Sequence, residues 1–135
     1  MRQKLKTYIP IILLLLAVGI PSRLIPDSFP DWYVNYAGDF LWAMMVFFLF
    51  CLFFRWGSFQ TFIIALLTTY LIEVSQLFQP DWLNYLRSFK LIGLVIGYSF
   101  IWSDIVAYTL GISLGAIIDG LLLRRLYHNQ KQTAA

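Results

Sequence analysis

Long apolar runs alternate with short polar segments along the chain, and this pattern predicts four membrane-spanning helices. A bilayer core needs about 20 mostly apolar residues to be crossed by a helix, and four runs reach about that length. The second and third runs are separated by only a few residues, which predicts an antiparallel hairpin with a tight turn. We therefore predict an all-α integral membrane protein in a single domain, residues 1–135, with spans at about 7–25, 38–56, 60–79 and 103–123.

The first apolar run, Tyr8 to Ile20, follows Arg2, Lys4 and Lys6, as the apolar region of a secretory signal peptide would. A signal peptidase site needs small residues after the run, whereas Pro21, Ser22 and Arg23 stand there. We therefore predict a retained first span. The prolines and aspartates of residues 25–35 then predict a loop outside the bilayer.

Residues 81–102 do not fit the pattern of the four spans. Polar and charged positions come first, and the apolar stretch from Leu91 to Phe100 is too short to cross a bilayer. We predict an interfacial helix followed by a re-entrant or surface-lying segment. The alternative, a full fifth span, would move the C-terminus to the opposite side of the membrane.

Four spans put both termini on one side of the membrane, and the basic residues indicate which side. Seven of the 10 lysines and arginines fall on the terminal side and three on the other, which predicts cytoplasmic termini. The seven are Arg2, Lys4, Lys6, Arg55, Arg124, Arg125 and Lys131, and the three are Arg23, Arg87 and Lys90.

The composition excludes several classes of protein. The chain is 60% apolar and only 13% charged, which is too apolar for a small water-soluble domain. The net charge of +3 lies at the two ends of the chain, without a basic stripe that could follow a nucleic acid. Cys51 is the single cysteine, so no intramolecular disulfide or thiolate metal site is expected.

Glu73 is the strongest candidate for a functional residue. It lies within the third apolar run, where an acidic side chain costs about 3 kcal/mol and is expected to face a protein interior or a watery cavity. Gln76 follows after three residues and Tyr70 precedes it by three, so all three share one helical stripe.

Two more acids approach the same predicted depth, near the outer leaflet. Asp39 begins the second span and Asp104 begins the fourth, with Tyr108 one turn later, and Gly111 and Gly115 continue that face. Three acids at one level need a counter-charge, and we assign it to Arg87. The alternative is that Asp39 and Asp104 are only helix N-terminal or interfacial acids. Trp82, Tyr85, Tyr98 and Trp102 are predicted to form an outer aromatic belt.

Motifs spread over nearly the whole chain resemble one family. They are Gly38-Asp39-Phe40-Leu41-Trp42, Glu73-Val74-Ser75-Gln76-Leu77, Trp82, Arg87, Gly93, Gly97, Phe100-Ile101-Trp102-Ser103-Asp104, Tyr108 and Gly111. They look like the small bacterial membrane proteins catalogued as domain of unknown function 2809. This resemblance implies a multi-pass protein of the bacterial cytoplasmic (inner) membrane, without naming a reaction.

A shorter pattern, Glu73, Gln76, Asp104, Gly111 and Gly115, is similar to VanZ-like proteins. These are bacterial envelope proteins whose namesake lowers susceptibility to the glycopeptide teicoplanin. The resemblance implies an envelope function with a link to antibiotic susceptibility. In the VanZ-like pattern an arginine precedes the aspartate and an asparagine follows it by about one helical turn, whereas here Arg87 lies further upstream and Tyr108 takes the place of the asparagine.

The sequence thus predicts a pocket at the outer leaflet that binds a lipid headgroup or an amphiphile. Its residues are Asp39, Glu73, Gln76, Arg87, Trp102, Asp104 and Tyr108. The expected partners are membrane lipids or a lipid-linked envelope precursor, with no nucleic acid, cofactor or resident metal, and homo-oligomerisation is left open. Two alternatives are a membrane-embedded enzyme acting on a lipid-linked substrate, with a divalent site on two carboxylates as a variant, and a proton-coupled carrier. A third is a packing or assembly subunit whose polar residues only hold the helices together.

Overall fold

A computed structural model describes residues 2–123 of the chain, and within them all regular structure is helical. The helices are α1 (Arg2–Leu24), α2 (Gly38–Phe53), α3 (Ser58–Ser75), α4 (Asp81–Ser88), α5 (Lys90–Ile96) and α6 (Trp102–Ile118). A 3₁₀ turn, Pro26–Ser28, follows α1, and π-helical turns precede α2 (Tyr33–Ala37) and follow α6 (Asp119–Leu123).

Four of these helical stretches within residues 2–123 are long and apolar enough to cross a membrane. They run over Lys4–Leu24, Tyr33–Phe53, Ser58–Ser75 and Trp102–Leu121, which confirms the prediction of an all-α chain with four helices of membrane-spanning length and composition. Leucines on their outer surfaces are highly exposed, 63% for Leu14 and 69% for Leu71, as expected for side chains facing lipid. Three of the basic residues on which the predicted orientation depends lie outside the described part of the chain: Arg124, Arg125 and Lys131.

The core lies between α1, α2 and α6, with α3 packed against α2 and α6. Phe47, Phe48 and Ile112 are fully buried at its centre. Gly111 allows α6 to approach α2 closely, since a Cβ atom there would overlap the carbonyl oxygen of Phe40. The close helix neighbour predicted from the glycine spacing is therefore α2.

The elements alternate in direction, so the bundle has two distinct ends. At one end, Lys4 of α1 donates to the carbonyl oxygens of Cys51 (2.9 Å) and Phe54 (2.8 Å), where α2 terminates. At the other, Arg23 near the end of α1 forms an ion pair with Asp39 at the start of α2. We call the second the cleft end and the first the opposite end.

Two predicted boundaries are wrong. Helical structure before α2 already begins at Asp31, within the predicted loop of residues 25–35. Span three was predicted to run to residue 79, but α3 ends at Ser75. The next four residues, 76–79, form a turn, and side chains donate hydrogen bonds to some of its carbonyl oxygens. Glu73 is therefore in the last turn of α3 rather than deep within a longer helix.

The segment between α3 and α6 consists of two short helices and an irregular stretch. In α4 the buried residues are Leu83 and Arg87, while Trp82 and Tyr85 are exposed. Its interfacial position stays a prediction. With seven residues, α5 is too short to span, which excludes the fifth-span alternative. Whether this segment re-enters the membrane stays a prediction.

Candidate polar cleft

Side chains of α1, α2 and α6 meet at the cleft end, together with Gln76 directly after α3, and line a partly open cavity of about 510 Å³. The segment after α5 forms one of its walls. We call this cavity the polar cleft. Its polar and aromatic lining includes Ser22, Arg23, Tyr36, Asp39, Trp42, Gln76, Tyr98, Ser99, Ser103, Asp104 and Tyr108.

Arg23 and Asp39 form an ion pair at the mouth of the polar cleft. The side chain of Asp39 is 11% exposed and that of Arg23 is 35% exposed, so the pair is only partly accessible to solvent. Asp39 lies within a helical stretch that starts at Asp31, so the alternative of a simple helix N-terminal acid does not apply to it. The counter-charge that the sequence analysis assigned to Arg87 is provided here by Arg23.

Glu73 is fully buried directly behind the cleft wall. Its Oε1 accepts a hydrogen bond from the backbone N–H of Ile101 at 3.0 Å, and this bond ties α3 to the start of α6. Its Oε2 has no hydrogen bond of normal geometry among the described residues, but the hydroxyl of Tyr108 is close enough to bond to this carboxyl group. A buried carboxyl group with incomplete hydrogen bonding is costly and is a common mark of a functional site.

Asp104 and Tyr108 lie one turn apart on α6 and both line the cleft, as the sequence predicted. The hydroxyl of Ser103 donates to Oδ1 of Asp104 at a long 3.3 Å. Asp104 also lies close enough to Glu73 for the two carboxyl groups to interact electrostatically. Asp104 is the third residue of α6, so stabilisation by the helix N-terminus applies to it as well.

Gln76 and Gln79 hold the irregular wall in place. The side-chain amide of Gln76 donates to the carbonyl oxygen of Ile96 (2.9 Å), and that of Gln79 donates to Tyr98 (3.2 Å). Between them Gly97 adopts a φ of +75°, a conformation that residues with a side chain rarely adopt, and a Cβ atom there would overlap the amide of Gln76. The wall therefore depends on both a glycine and a glutamine.

Two predicted site residues are not brought to the cleft. The buried guanidinium of Arg87 donates to the carbonyl oxygens of Ser75 (3.2 Å) and Phe78 (3.3 Å) and to side chains of the turn, where it caps the end of α3. Trp102 is 77% exposed and packs edge-on against Phe100. Neither residue lines the polar cleft.

Arg23 and Trp42 line the cleft but were not predicted as site residues. A signal existed for both of them. Arg23 is one of the three basic residues assigned to the same side as the acids, and Trp42 follows Asp39 by three residues, which places both on one face of α2.

A second polar cluster lies at the opposite end of the bundle. Asp119 is fully buried and accepts hydrogen bonds from Tyr8 and Ser58, each at 2.5 Å, so it joins α1, α3 and the end of α6. Among residues 2–123, no group of three His, Cys, Asp or Glu side chains is arranged to hold a metal ion.

One family model matches this chain. Its description is "Protein of unknown function (DUF2809)", and the match covers residues 28–112, more than half of the chain. The matched range leaves out Arg23 and includes Asp39, Glu73, Gln76, Gln79 and Asp104. The match is therefore shorter than the resemblance noted in the sequence, which covered nearly the whole chain. No solved structure matches the chain.

Proposed function

Since the chain belongs to the DUF2809 family, whose description assigns no function, we propose from the geometry that it is a membrane protein whose polar cleft binds the headgroup of a lipid or other amphiphile. One observation carries the proposal. A cavity of about 510 Å³ combines an arginine, two aspartates, tyrosine hydroxyls and a tryptophan at the end of apolar helices. Such a boundary position suits a molecule with a polar head and an apolar chain.

The polar groups of the cleft offer both charge signs and many hydrogen bonds. Arg23 can bind a phosphate, while the carboxylates of Asp39 and Asp104 can bind sugar hydroxyls or amines. Trp42 supplies an apolar face next to these groups. We place the cleft at the outer leaflet of the bacterial cytoplasmic membrane, because the excess of basic residues lies on the opposite side.

Binding is favoured over the enzyme and carrier alternatives by the contacts within the cleft. Among the described residues that line the cleft, Ser103 is the one serine whose hydroxyl donates to an acid, and its bond to the adjacent Asp104 is long, 3.3 Å. The cleft therefore does not hold a serine nucleophile well bonded to a base. A proton-coupled carrier would need a chain of titratable groups that connects the two ends of the bundle. Glu73 lies at one end and Asp119 lies at the other.

Native mass spectrometry of the purified protein tests the proposal. Glu73→Gln and Asp104→Asn should each lose bound lipid that the unmodified protein retains, because each removes a negative charge in or behind the cleft. Asp81→Asn is the matched control, since Asp81 is exposed on α4 and does not line the cleft. Retention of the same lipid stoichiometry by both cleft variants would refute the proposal.

The relationship to VanZ-like proteins and the link to antibiotic susceptibility stay predictions of the resemblance. Comparison of teicoplanin susceptibility between a deletion strain and its parent tests that link. Unchanged susceptibility would leave the lipid-binding proposal intact, because the two depend on different observations.

A further inference from the structure

An apolar groove lies beside the polar cleft. It has a volume of about 220 Å³ and runs between α1, α2 and α5, where Leu16, Gly19, Leu41 and Met45 are among its lining residues. Arg23, Trp42 and Val95 line both cavities, so the groove and the cleft adjoin at these three side chains. The pair of cavities therefore has a polar end and an apolar end.

The charges in the polar cleft do not balance. Arg23 is paired with Asp39, and the two together contribute no net charge. Asp104 receives one long hydrogen bond, from Ser103, and Arg23 attracts it without forming an ion pair with it. The buried Glu73 behind it is bonded by the backbone N–H of Ile101 and approached by the hydroxyl of Tyr108, and no cation among the described residues is paired with it. Arg87 is buried, and its guanidinium is directed to the end of α3. A ligand with a positive charge and N–H donors would supply the counter-charge and hydrogen bonds that these carboxyl groups need.

We propose that the ligand is an amphiphile with a primary ammonium headgroup, whose ammonium lies at Asp104 and Tyr108 and whose chain lies in the apolar groove. This inference rests on the proposed lipid-binding function and specifies its ligand. A primary ammonium has three N–H donors for carboxyl oxygens, whereas a quaternary ammonium has none. The groove holds the chain next to the headgroup and so sets the position of the whole ligand.

Headgroup selectivity is tested with three single-chain lipids that share one acyl chain: lysophosphatidylethanolamine, lysophosphatidylcholine and lysophosphatidylglycerol. Each is added to the purified full chain in detergent, and the bound fraction is measured by native mass spectrometry. We expect the ethanolamine lipid to bind about ten-fold more tightly than the other two, because one additional charge-assisted hydrogen bond improves the affinity by about that factor. Asp104→Asn should remove this preference, and the exposed control Asp81→Asn should keep it.

The outcomes separate this inference from the proposed function. Equal binding of all three lipids, reduced by Glu73→Gln, would overturn the ammonium assignment and keep the lipid site. Preference for the glycerol lipid would overturn the ammonium assignment as well. Binding of none of them, with no lipid retained from the membrane either, would overturn the proposed function itself.

The position of the chain is tested by filling the groove. Gly19→Leu adds a side chain there, and its Cβ would meet only ordinary contacts with Leu41 at 3.6 and 3.9 Å. We expect loss of most lysophosphatidylethanolamine binding with the thermal unfolding midpoint unchanged. Leu14→Phe is the control on the exposed face of the same helix. Ile20→Trp fills the same groove and provides a second variant if Gly19→Leu does not fold. Full binding by a folded filling variant would overturn the assignment of the groove.

Discussion

At the cleft end, the role of a residue depends on its contacts and not on its residue type alone. Arg23 and Arg87 are both basic and both belong to the same predicted side of the membrane. The structure pairs Arg23 with Asp39 and buries Arg87 against the turn that follows α3. Their spacing in the sequence does not distinguish these roles, because each arises from contacts with a different element.

The Arg23–Asp39 pair should contribute a measurable coupling. We expect a double-mutant cycle with Arg23→Gln and Asp39→Asn to give a coupling energy of about 1 kcal/mol, since the pair is partly exposed and partly screened. The measurement is the free energy of unfolding in detergent. The double variant should be more stable than the sum of the single changes predicts. Additive changes would show that the pair does not stabilise the fold.

Gly111 should be intolerant of a side chain. Gly111→Ala places a methyl group against the carbonyl oxygen of Phe40, so α6 must move away from α2, which costs about 1–3 kcal/mol. Gly120→Ala is the matched control, because its Cβ would meet only the hydroxyl oxygen of Ser58 at 4.0 Å. A thermal shift assay compares the two. Equal midpoints for both variants would contradict the close approach of the helices.

At the scale of the elements, the sequence predicts the long helices well and the connecting segment poorly. Apolar runs of sufficient length have few alternatives in a membrane, because every backbone polar group must be satisfied within the element. The end of α3 is different, since it depends on Arg87, which lies 12 residues after Ser75 and bonds its carbonyl oxygen. No local pattern around Ser75 indicates this contact.

The cap formed by Arg87 should stabilise the connection between α3 and α4. Arg87→Met leaves the carbonyl oxygens of Ser75 and Phe78 without this donor, and we expect a loss of about 2 kcal/mol in the free energy of unfolding. Arg87→Lys should not restore it, because an ammonium lacks the planar fork. Limited proteolysis should also cleave residues 76–80 faster.

Lys90→Met is the control for this change, since Lys90 is exposed in the same segment. If Arg87 instead acts as the counter-charge of the acids, as the sequence suggested, Arg87→Met would abolish lipid binding and leave stability unchanged. That result would return Arg87 to the site and contradict its assignment as a cap.

For the molecule as a whole, the sequence predicts which residues share a level but not which of them face the same cavity. Asp39, Gln76, Asp104 and Tyr108 line the polar cleft, and Glu73 lies behind it. Trp102 was expected there and is exposed instead, while Trp42 lines the cleft. The depth of a side chain follows from its position along a helix. The cavity that it faces depends instead on how each helix is rotated about its own axis when the helices pack together.

The orientation of the bundle can be tested because Cys51 is the only cysteine and is buried. In a Cys51→Ser background, Asp27→Cys places a thiol in the exposed turn beside the cleft end, and Gln60→Cys places one at the exposed opposite end. We expect a membrane-impermeant maleimide to label residue 27 in intact cells. It should label residue 60 only after the membrane is permeabilised.

The reverse labelling pattern would place the polar cleft at the cytoplasmic leaflet. The contacts that form the cleft would be unchanged, but its ligand would have to come from the inner leaflet, and the excess of basic residues would lie outside, against the positive-inside rule. Since the ion pair, the buried Glu73 and the adjoining groove do not depend on orientation, this experiment decides where the ligand comes from. The headgroup experiment separately decides what the ligand is.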